Sequence, residues 1–306
     1  MTQPALLLLA YGGPEKLDEI GPFMRRLLGR EELPPGLLAR VEKKYQAIGG
    51  GSPLPAICRR IRDRLADRLA GLPVFLAFRY AEPDIARVVE EIKTRGHHDI
   101  AALSLSPHSS LISSRAYYET LEKAAAINGL GLRRLESWYR EEDYNRLLAE
   151  RIQSAAAAAG LDLTAPDCHL LFTAHNIPQS YLERGDSYVQ EITDNLERVR
   201  RRLPQGTNSS LAWQSKGNAP GAWLEPEIEP HIEKLYRAGC RRLLAVPISF
   251  SMDHLETLYD LDLELKEFCS GLGLELYRTR PANADDDFIA MLAAFVTRNL
   301  EPDSHP

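Results

Sequence analysis

Short apolar segments alternate with longer amphipathic segments along the chain, and this alternation limits the possible folds more than any other feature of the sequence. Amphipathic stretches at residues 55–69 and 83–93 separate the first apolar runs, and an alanine-rich stretch at 147–159 precedes a second series. The runs that we predict to be strands are residues 5–10, 74–79, 100–106, 132–138, 169–174, 211–214, 242–249 and 274–278. Short strands that alternate with helices form βαβ units, so the sequence predicts an α/β fold with a mostly parallel sheet.

The predicted strands fall into two series of four. We therefore expect two similar Rossmann-like lobes, each with a mostly parallel four-stranded sheet flanked by helices. We place the N-terminal α/β lobe at residues 1–150 and the C-terminal α/β lobe at residues 151–306, with a last helix at 286–299 that could pack back on the first lobe. Because open parallel sheets bind ligands beyond the carboxyl ends of their strands, we expect the ligand in a cleft between the lobes.

The charge balance and the apolar runs exclude several classes of partner. Lys and Arg number 37 against 43 Asp and Glu, a formal net charge of −6. This balance gives no overall electrostatic reason to expect nucleic acid or an anionic membrane surface as a partner. The apolar run at residues 5–10 is too short to cross a bilayer and lacks a preceding basic region. We expect a cytoplasmic protein without an integral membrane segment.

The cysteines and glycines argue against a tightly bound cofactor. Cys58, Cys168, Cys240 and Cys269 lack a CxxC or similar ligand spacing, which is typical of reduced thiols in a cytosolic core. The turn Gly12-Gly13-Pro14 does not complete GxGxxG, and the sequence contains no GxxxxGK[ST]. We therefore expect neither an iron–sulfur cluster nor a nucleotide cofactor.

Reactive side chains directly follow several predicted strands. Tyr11 follows the first strand, His108 the third, His175 the fifth and His254 the seventh. A lone histidine at a strand end is more often a structural hydrogen-bonding residue, and we favour that interpretation for His108 and His254. His175 differs because it lies between a hydrophobic strand and a turn that contains a proline. Its imidazole can accept protons near neutral pH.

Carboxylates recur at intervals of four residues after Asp253, at Glu256, Asp260 and Glu264. In an α-helix this spacing places the three groups on one face. The charge pattern alone favours a solvated acidic face. The alternative is a row that passes protons or hydrated cations toward a site at the start of the helix, where proximity raises carboxyl pKa values.

Two further segments could contact a ligand. The glycine-rich loop at residues 49–53 precedes a predicted helix, and its backbone can approach a ligand closely there. Trp213 and Trp223 place two indoles in one region of the chain. These indoles either belong to an ordinary core or form a wall for a flat aromatic ligand.

With these residues the chain resembles the ferrochelatase family over essentially its whole length. The most specific matches are residues 171–178 (LFTAHNIP), 184–188 (RGDSY) and 253–260 (DHLETLYD). Supporting matches are residues 48–53, 78–80, 137–139, 213–216 and 280–283. The resemblance implies an enzyme, a lyase that inserts Fe(II) into a porphyrin with release of two protons in haem biosynthesis.

The resemblance also assigns roles to single residues. It implies that His175 faces the centre of the porphyrin ring, that Glu256 lies beside it and that Tyr11 lies on the opposite face. It further implies that Asp260 and Glu264 extend the metal-binding row begun by His175 and Glu256. The residues expected to bind the substrate are Ser52, Lys44, Arg30, Tyr117 and Trp213.

The turn at residues 10–14, with its tyrosine, is most similar to that of the coproporphyrin III ferrochelatases, so we expect coproporphyrin III rather than protoporphyrin IX as substrate. Fe(II) is then a substrate and haem the product, and a protein that donates iron or accepts haem could be a transient partner. Two alternatives remain open. One is a chelatase for another metal or tetrapyrrole, of the sirohydrochlorin type, and the other is a non-catalytic protein that binds haem or porphyrin.

Overall fold

A computed structural model describes residues 4–217 and 219–301. The described residues form two compact units: the first contains residues 4–138 and 282–301, and the second lies between them, at residues 139–281. The boundary that we placed at residue 150 lies inside the helix Glu142–Ala158, and this whole helix belongs to the second unit. The chain changes units earlier than expected because that helix packs against the helix Tyr188–Arg200 of the second unit.

The strands and helices closely follow the predicted alternation. The strands are β1 (Ala5–Ala10), β2 (Val74–Phe78), β3 (Asp99–Ser104), β4 (Gly131–Arg134), β5 (Cys168–His175), β6 (Ser209–Gln214), β7 (Arg242–Pro247) and β8 (Glu275–Arg278). The helices are α1 (Ile20–Leu28), α2 (Leu37–Ala47), α3 (Leu54–Arg68), α4 (Ile85–Thr94), α5 (Ser114–Asn128), α6 (Glu142–Ala158), α7 (Ser180–Glu183), α8 (Tyr188–Arg200), α9 (Ile228–Arg237), α10 (Lys266–Leu272) and α11 (Asp286–Leu300). A short 3₁₀ helix at Leu17–Glu19 and a π-helix at Glu256–Leu265 complete the described elements.

The sheet of the first unit has the strand order β2-β1-β3-β4, and every neighbouring pair is parallel. All residues of the central strand β1 are buried, as expected for a strand that helices cover on both faces. Apolar residues of α4 and α5, such as Val89 and Leu121, form the core on one face of this sheet. The last helix, α11, packs on α3, and the rings of Trp138 and Phe288 lie 5.5 Å apart between centroids.

The sheet of the second unit repeats this topology, with the order β6-β5-β7-β8 and parallel pairing throughout. β5 therefore has the central position that β1 has in the first unit. Leu171 of β5 and Leu243 of β7 pack with residues of α9, α10 and the π-helix in one apolar core. The predicted fold class, with two four-stranded parallel sheets flanked by helices, is confirmed.

The segment that carries the three spaced carboxylates is a π-helix of ten residues that continues directly into α10. The carboxylate spacing predicts an α-helix there, and this prediction is wrong. A π-helix closes its turns with i→i+5 hydrogen bonds, and π-helical turns are frequent at functional sites. Its buried residues are Thr257, Leu261 and Leu265, which attach one face of the helix to the core of the second unit.

None of the helices in the described parts of the chain has the length and apolar character needed to cross a membrane.

Candidate active site

Polar side chains meet at the carboxyl ends of the strands in the second unit. His175 is the last residue of β5 and pairs in register with Gln214, the last residue of β6. Ser249 closely follows β7, and Glu256 begins the π-helix. Since all four strands are parallel, these residues lie at the edge of the sheet where ligands of α/β proteins bind.

His175 and Glu256 form the central pair of this site. Nδ1 of His175 lies 2.9 Å from Oε2 of Glu256, and the side chains are 31% and 32% exposed. The backbone N–H of His175 donates a hydrogen bond to Oγ of Ser249 at 3.3 Å. Because an ionised carboxylate can only accept hydrogen bonds, Nδ1 carries the proton of the neutral imidazole. Nε2 is then the nitrogen that can accept a proton from a ligand.

The carboxylates around His175 change its basicity. Burial lowers the pKa of the imidazole, but the charge of Glu256, the hydrogen bond to Glu256 and the charge of Asp260 outweigh it, so the pKa is raised above 6.5. A nearby negative charge stabilises the protonated imidazolium in this way. His175 is therefore a stronger base than a histidine in water.

His254 has a structural position beside this pair. Its Nδ1 accepts a hydrogen bond from the backbone N–H of Glu256 at 3.1 Å, and its own backbone N–H donates to Oγ1 of Thr257 at 3.0 Å. Burial lowers the pKa of His254, although Glu256 and Asp253 act in the opposite direction. A neutral imidazole suits the accepted hydrogen bond, and it fixes the backbone at the start of the π-helix.

The predicted acidic row leads away from His175 along the π-helix. Glu256 and Asp260 are partly buried, whereas Glu264 is exposed. Oγ of Ser215 donates to Oδ2 of Asp260 at 2.6 Å, and Ser215 has a φ of 57°, in the left-handed region that few non-glycine residues adopt. The structure thus joins Asp260 to the end of β6.

The turn after His175 is held by a second segment of the same unit. The side-chain amide of Asn176, which is fully buried, donates to the backbone oxygen of Leu224 at 3.1 Å and accepts from its N–H at 3.0 Å. Nε2 of Gln179 donates to the backbone oxygen of Trp223 at 2.9 Å. Trp213 is 4% exposed, its ring packs 6.0 Å from that of Tyr188, and its Nε1–H donates to the backbone oxygen of Glu225. This packing favours the core interpretation of Trp213.

The first unit holds Tyr11 and Ser52 at the ends of its own strands and loops. Tyr11 directly follows β1, is 36% exposed, and packs edge-on against Tyr80 at 4.9 Å between centroids. The backbone N–H of Ser52 donates to the oxygen of Pro14 at 2.6 Å, so the two loops are in contact. A Cβ at Gly51 would lie 2.1 Å from the backbone oxygen of Glu15, and glycine is therefore required for this close approach.

The other predicted substrate-binding residues of the first unit have different environments. Arg30 is exposed after α1, Lys44 is partly buried in α2, and Ser52 is 6% exposed, with Oγ accepting from the N–H of Leu54 at 3.3 Å. Tyr117 is 1% exposed within the core under α5, and its hydroxyl bonds with Ser106. Tyr117 therefore offers almost no surface to a ligand in this conformation.

Within residues 4–217 and 219–301, no three His, Cys, Asp or Glu side chains are arranged together as ligands of a metal ion. His175 and Glu256 are instead joined to each other by the hydrogen bond between Nδ1 and Oε2.

Two residues that shape the site carry no motif in the sequence. Ser249 lies in a segment predicted to be a strand, and its hydroxyl accepts a hydrogen bond from the backbone of His175. Arg278 ends another predicted strand, and its guanidinium bonds Asp253, before the π-helix, and Asp262, within it. A polar residue at the carboxyl end of a parallel strand is the one signal that could have identified them.

Comparison with known proteins identifies relatives over the full length of the chain. A family model described as Ferrochelatase matches residues 3–300. A ferrochelatase from Gloeobacter violaceus is 33% identical over 98% of this chain and 98% of its own length. A coproporphyrin III ferrochelatase from Anoxybacillus flavithermus is 30% identical, with 96% of each chain covered.

Solved structures with little sequence identity share the fold. SirB from Bacillus subtilis with Fe³⁺ has a TM-score of 0.60 at 10% identity, covering 98% of this chain and 96% of the other. CbiX, described as the terminal enzyme for biosynthesis of sirohaem in denitrifying bacteria, has a TM-score of 0.57 at 14% identity, covering 96% and 98%. These similarities bear on the fold alone.

Proposed function

The chain belongs to the ferrochelatase family, and from this premise we propose that it inserts Fe(II) into a porphyrin and releases the two pyrrole protons in haem biosynthesis. The observation that carries the proposal is the 2.9 Å contact between Nδ1 of His175 and Oε2 of Glu256. In this pair Glu256 accepts the hydrogen bond from Nδ1, which leaves Nε2 of His175 as the proton acceptor and supports the proposal.

Metallation needs a base because a divalent ion replaces two N–H protons of the ring. Nε2 of His175 accepts these protons one after the other, and the partly exposed imidazole releases each to solvent before it takes up the next. Glu256 stabilises the imidazolium that forms, and the upward shift that its charge and hydrogen bond give to the pKa of His175 supports this role. General bases of this kind typically contribute about 10²–10⁴-fold to a rate.

The same groups suit the arrival of the metal. Fe(II) accepts both imidazole nitrogen and carboxylate oxygen. A site with so few protein ligands binds the ion weakly, so four ring nitrogens can remove it. Glu256 and Asp260 are partly buried, and Glu264 is exposed. This order supports an acidic row that leads hydrated Fe(II) inward from solvent, from Glu264 past Asp260 to Glu256.

For the substrate we favour coproporphyrin III over protoporphyrin IX. The relative from Anoxybacillus flavithermus is described as a coproporphyrin III ferrochelatase, whereas the relative from Gloeobacter violaceus is described as a ferrochelatase. Coproporphyrin III carries four carboxylates, and Lys44, Arg30 and Ser52 are the candidates that would bind them. Basic and hydroxyl groups pair with carboxylates through charge-assisted hydrogen bonds.

Iron enters this reaction as a substrate, and we propose that no iron–sulfur cluster supports it. Cys58, Cys168, Cys240 and Cys269 are buried. Burial raises the pKa of the Cys269 thiol to about 12 and also raises those of the other three, which fits neutral thiols packed in the core. Stoichiometric acid-labile sulfide in anaerobically purified protein would refute this part of the proposal.

The test of the function is anaerobic turnover with Fe(II) and each porphyrin in parallel. Loss of porphyrin fluorescence together with appearance of the haem spectrum is the expected result, with the higher kcat/KM for coproporphyrin III. Sirohydrochlorin serves as the competing substrate, and its preferential metallation would favour the other class of chelatase. Tight binding of porphyrin or haem without turnover would show a binding protein instead.

A further inference from the structure

We propose that Arg278 is a positioning residue that joins Asp253, before the π-helix, to Asp262, within it, and thereby keeps Glu256 in contact with His175. The geometric part concerns the second unit alone, and the kinetic consequence rests on the proposed function. Arg278 lies at the end of β8 and bonds to Asp253 and Asp262 rather than to His175 or Glu256, so it acts through other residues.

Arg278 binds two carboxylates at once. Its Nη1 lies 3.2 Å from Oδ1 of Asp253, and its Nε and Nη2 donate to the two oxygens of Asp262 at 2.6 and 2.7 Å. The side chains of Arg278 and Asp253 are 12% and 13% exposed, and that of Asp262 is 36% exposed. A planar guanidinium can form this forked arrangement, whereas the point charge of a lysine cannot.

The sheet fixes the position from which Arg278 acts. Arg278 pairs in register with Ala245 of β7, and the next backbone N–H, that of Thr279, donates to the oxygen of Ala245 at 2.9 Å. The guanidinium is therefore anchored to the same sheet whose strand β5 ends at His175. The same sheet therefore supports both residues of the pair: it holds His175 directly, at the end of β5, and it holds Glu256 through Arg278.

From Asp253 the contacts continue to Glu256. Oγ1 of Thr257, which is fully buried, lies 3.1 Å from Oδ1 of Asp253 and accepts from the N–H of His254 at 3.0 Å. Nδ1 of His254 in turn accepts from the N–H of Glu256 at 3.1 Å. Each step is a hydrogen bond between groups that are at least partly buried, so loss of the Arg278 contact frees the backbone that carries Glu256.

Removing an ion pair with a purely structural role would lower the stability of the protein and leave its kinetics unchanged. The test therefore compares the removal of two ion pairs in the same unit. The double variant Arg278→Met/Asp253→Asn removes the ion pair without leaving Asp253 as an unpaired buried charge. The matched control is Arg242→Met/Asp167→Asn, which removes a pair with bonds of 3.2 and 2.8 Å at the amino end of β7. Both are assayed with coproporphyrin III and Fe(II) at a temperature where circular dichroism shows native helix content.

We expect the Arg278 double variant to lose at least about tenfold in kcat/KM for Fe(II), with a porphyrin Kd within twofold of wild type. The control should keep the wild-type kcat/KM. Equal kinetics in the two variants would overturn the proposal. Arg278→Lys, which can hold one carboxylate but cannot bond both, should recover only part of the loss.

A second measurement reports the position of Glu256 without turnover. In protein labelled with ¹⁵N-histidine, the Nδ1 resonance of His175 should shift in the Arg278 variant and stay unchanged in the control. The two failures can be told apart. Wild-type protein that does not metallate porphyrin would refute the proposed function, whereas an unshifted His175 resonance in the Arg278 variant would refute the role of Arg278. If the double variant does not fold, Asp262→Asn removes the more exposed partner, and an unchanged resonance and unchanged kinetics there would equally contradict the inference.

Discussion

Nδ1 of His175 lies 2.9 Å from Oε2 of Glu256, although 81 positions separate the two residues in the chain. β5 brings His175 to the edge of the second sheet, and the π-helix that follows β7 brings Glu256 to the same point. Neither local segment can form the pair alone. Chemistry at this point therefore requires the folded second unit, and each partner can be tested separately.

Replacing His175 by alanine should abolish metallation, because we propose that this side chain accepts protons at the ring, and it does not fill the core. Turnover should fall by at least about 10²-fold, the lower end of the contribution of a general base. The porphyrin affinity, measured by fluorescence quenching, should change little. His169→Asn is the matched control, since His169 lies in the same strand away from Glu256 and should keep the wild-type rate. Near-wild-type turnover of the alanine variant would show that another group is the base.

Replacing Glu256 by glutamine should shift the pH dependence as well as the rate. Glu256 raises the pKa of His175 against the lowering effect of burial, so its neutral analogue should lower that pKa. Protonated His175 cannot accept a proton, and activity is therefore lost as the pH falls through this pKa. In the variant the acidic limb of kcat/KM should move to lower pH, while the alkaline plateau drops because an amide attracts Fe(II) poorly. A profile with an unchanged acidic limb would contradict the coupling of the two groups.

The strands could be predicted because their signals are local. β1 consists of six apolar residues that are all buried, and its predicted bounds match the structure. β4 was predicted to continue to residue 138, but it ends at Arg134. The apolar residues Leu135 and Trp138 are indeed buried, yet Trp138 bonds through Nε1–H to the oxygen of Ser104 and packs against Phe288. Burial alone did not distinguish a strand from a packed loop.

Residues of the site could be predicted only where the neighbouring sequence carries a signal for them. His175 could be identified from its place between an apolar strand and a proline-containing turn. The partnership with Glu256 came from family resemblance, since no spacing rule connects residues so far apart. The π-helix, the hydroxyl of Ser249 and the guanidinium of Arg278 depend on tertiary contacts. The sequence carries no periodic signal for such contacts.

Preference for a tetracarboxylate substrate should depend on Lys44. A charged hydrogen bond to a desolvated carboxylate contributes on the order of 1.5–3 kcal/mol, which corresponds to at least about tenfold in kcat/KM. Lys44→Ala should therefore reduce the kcat/KM ratio of coproporphyrin III to protoporphyrin IX. Lys43→Ala is the matched control, because Lys43 is the exposed neighbour in α2. Equal ratios for wild type and both variants would exclude Lys44 from the rim of the substrate site.

The second unit should lose stability in mild acid through a chain of three side chains outside the site. Oγ of Ser210 lies 2.8 Å from Nε2 of His169 and 2.7 Å from Nε2 of His231. A single hydroxyl between two neutral imidazoles can donate to one and accept from the other, whereas two protonated rings would both donate and repel. Burial lowers the pKa of His169 to about 4, and burial and Lys234 lower that of His231.

The sign of the effect follows from proton uptake by the unfolded chain. Above pH 6.5 His169 is neutral in the folded and the unfolded chain, so its lowered pKa does not change the free energy of unfolding. Between about pH 6.5 and pH 4 the unfolded chain binds a proton that the folded state excludes, and the free energy of unfolding falls, on the order of 1–3 kcal/mol for His169. Urea unfolding at pH 7.5 and pH 5.0 measures this loss. His169→Gln keeps a hydrogen-bonding group toward Ser210 but cannot titrate, so its unfolding midpoint should fall less on acidification than that of wild type. An equal fall would show that His169 does not account for the acid sensitivity.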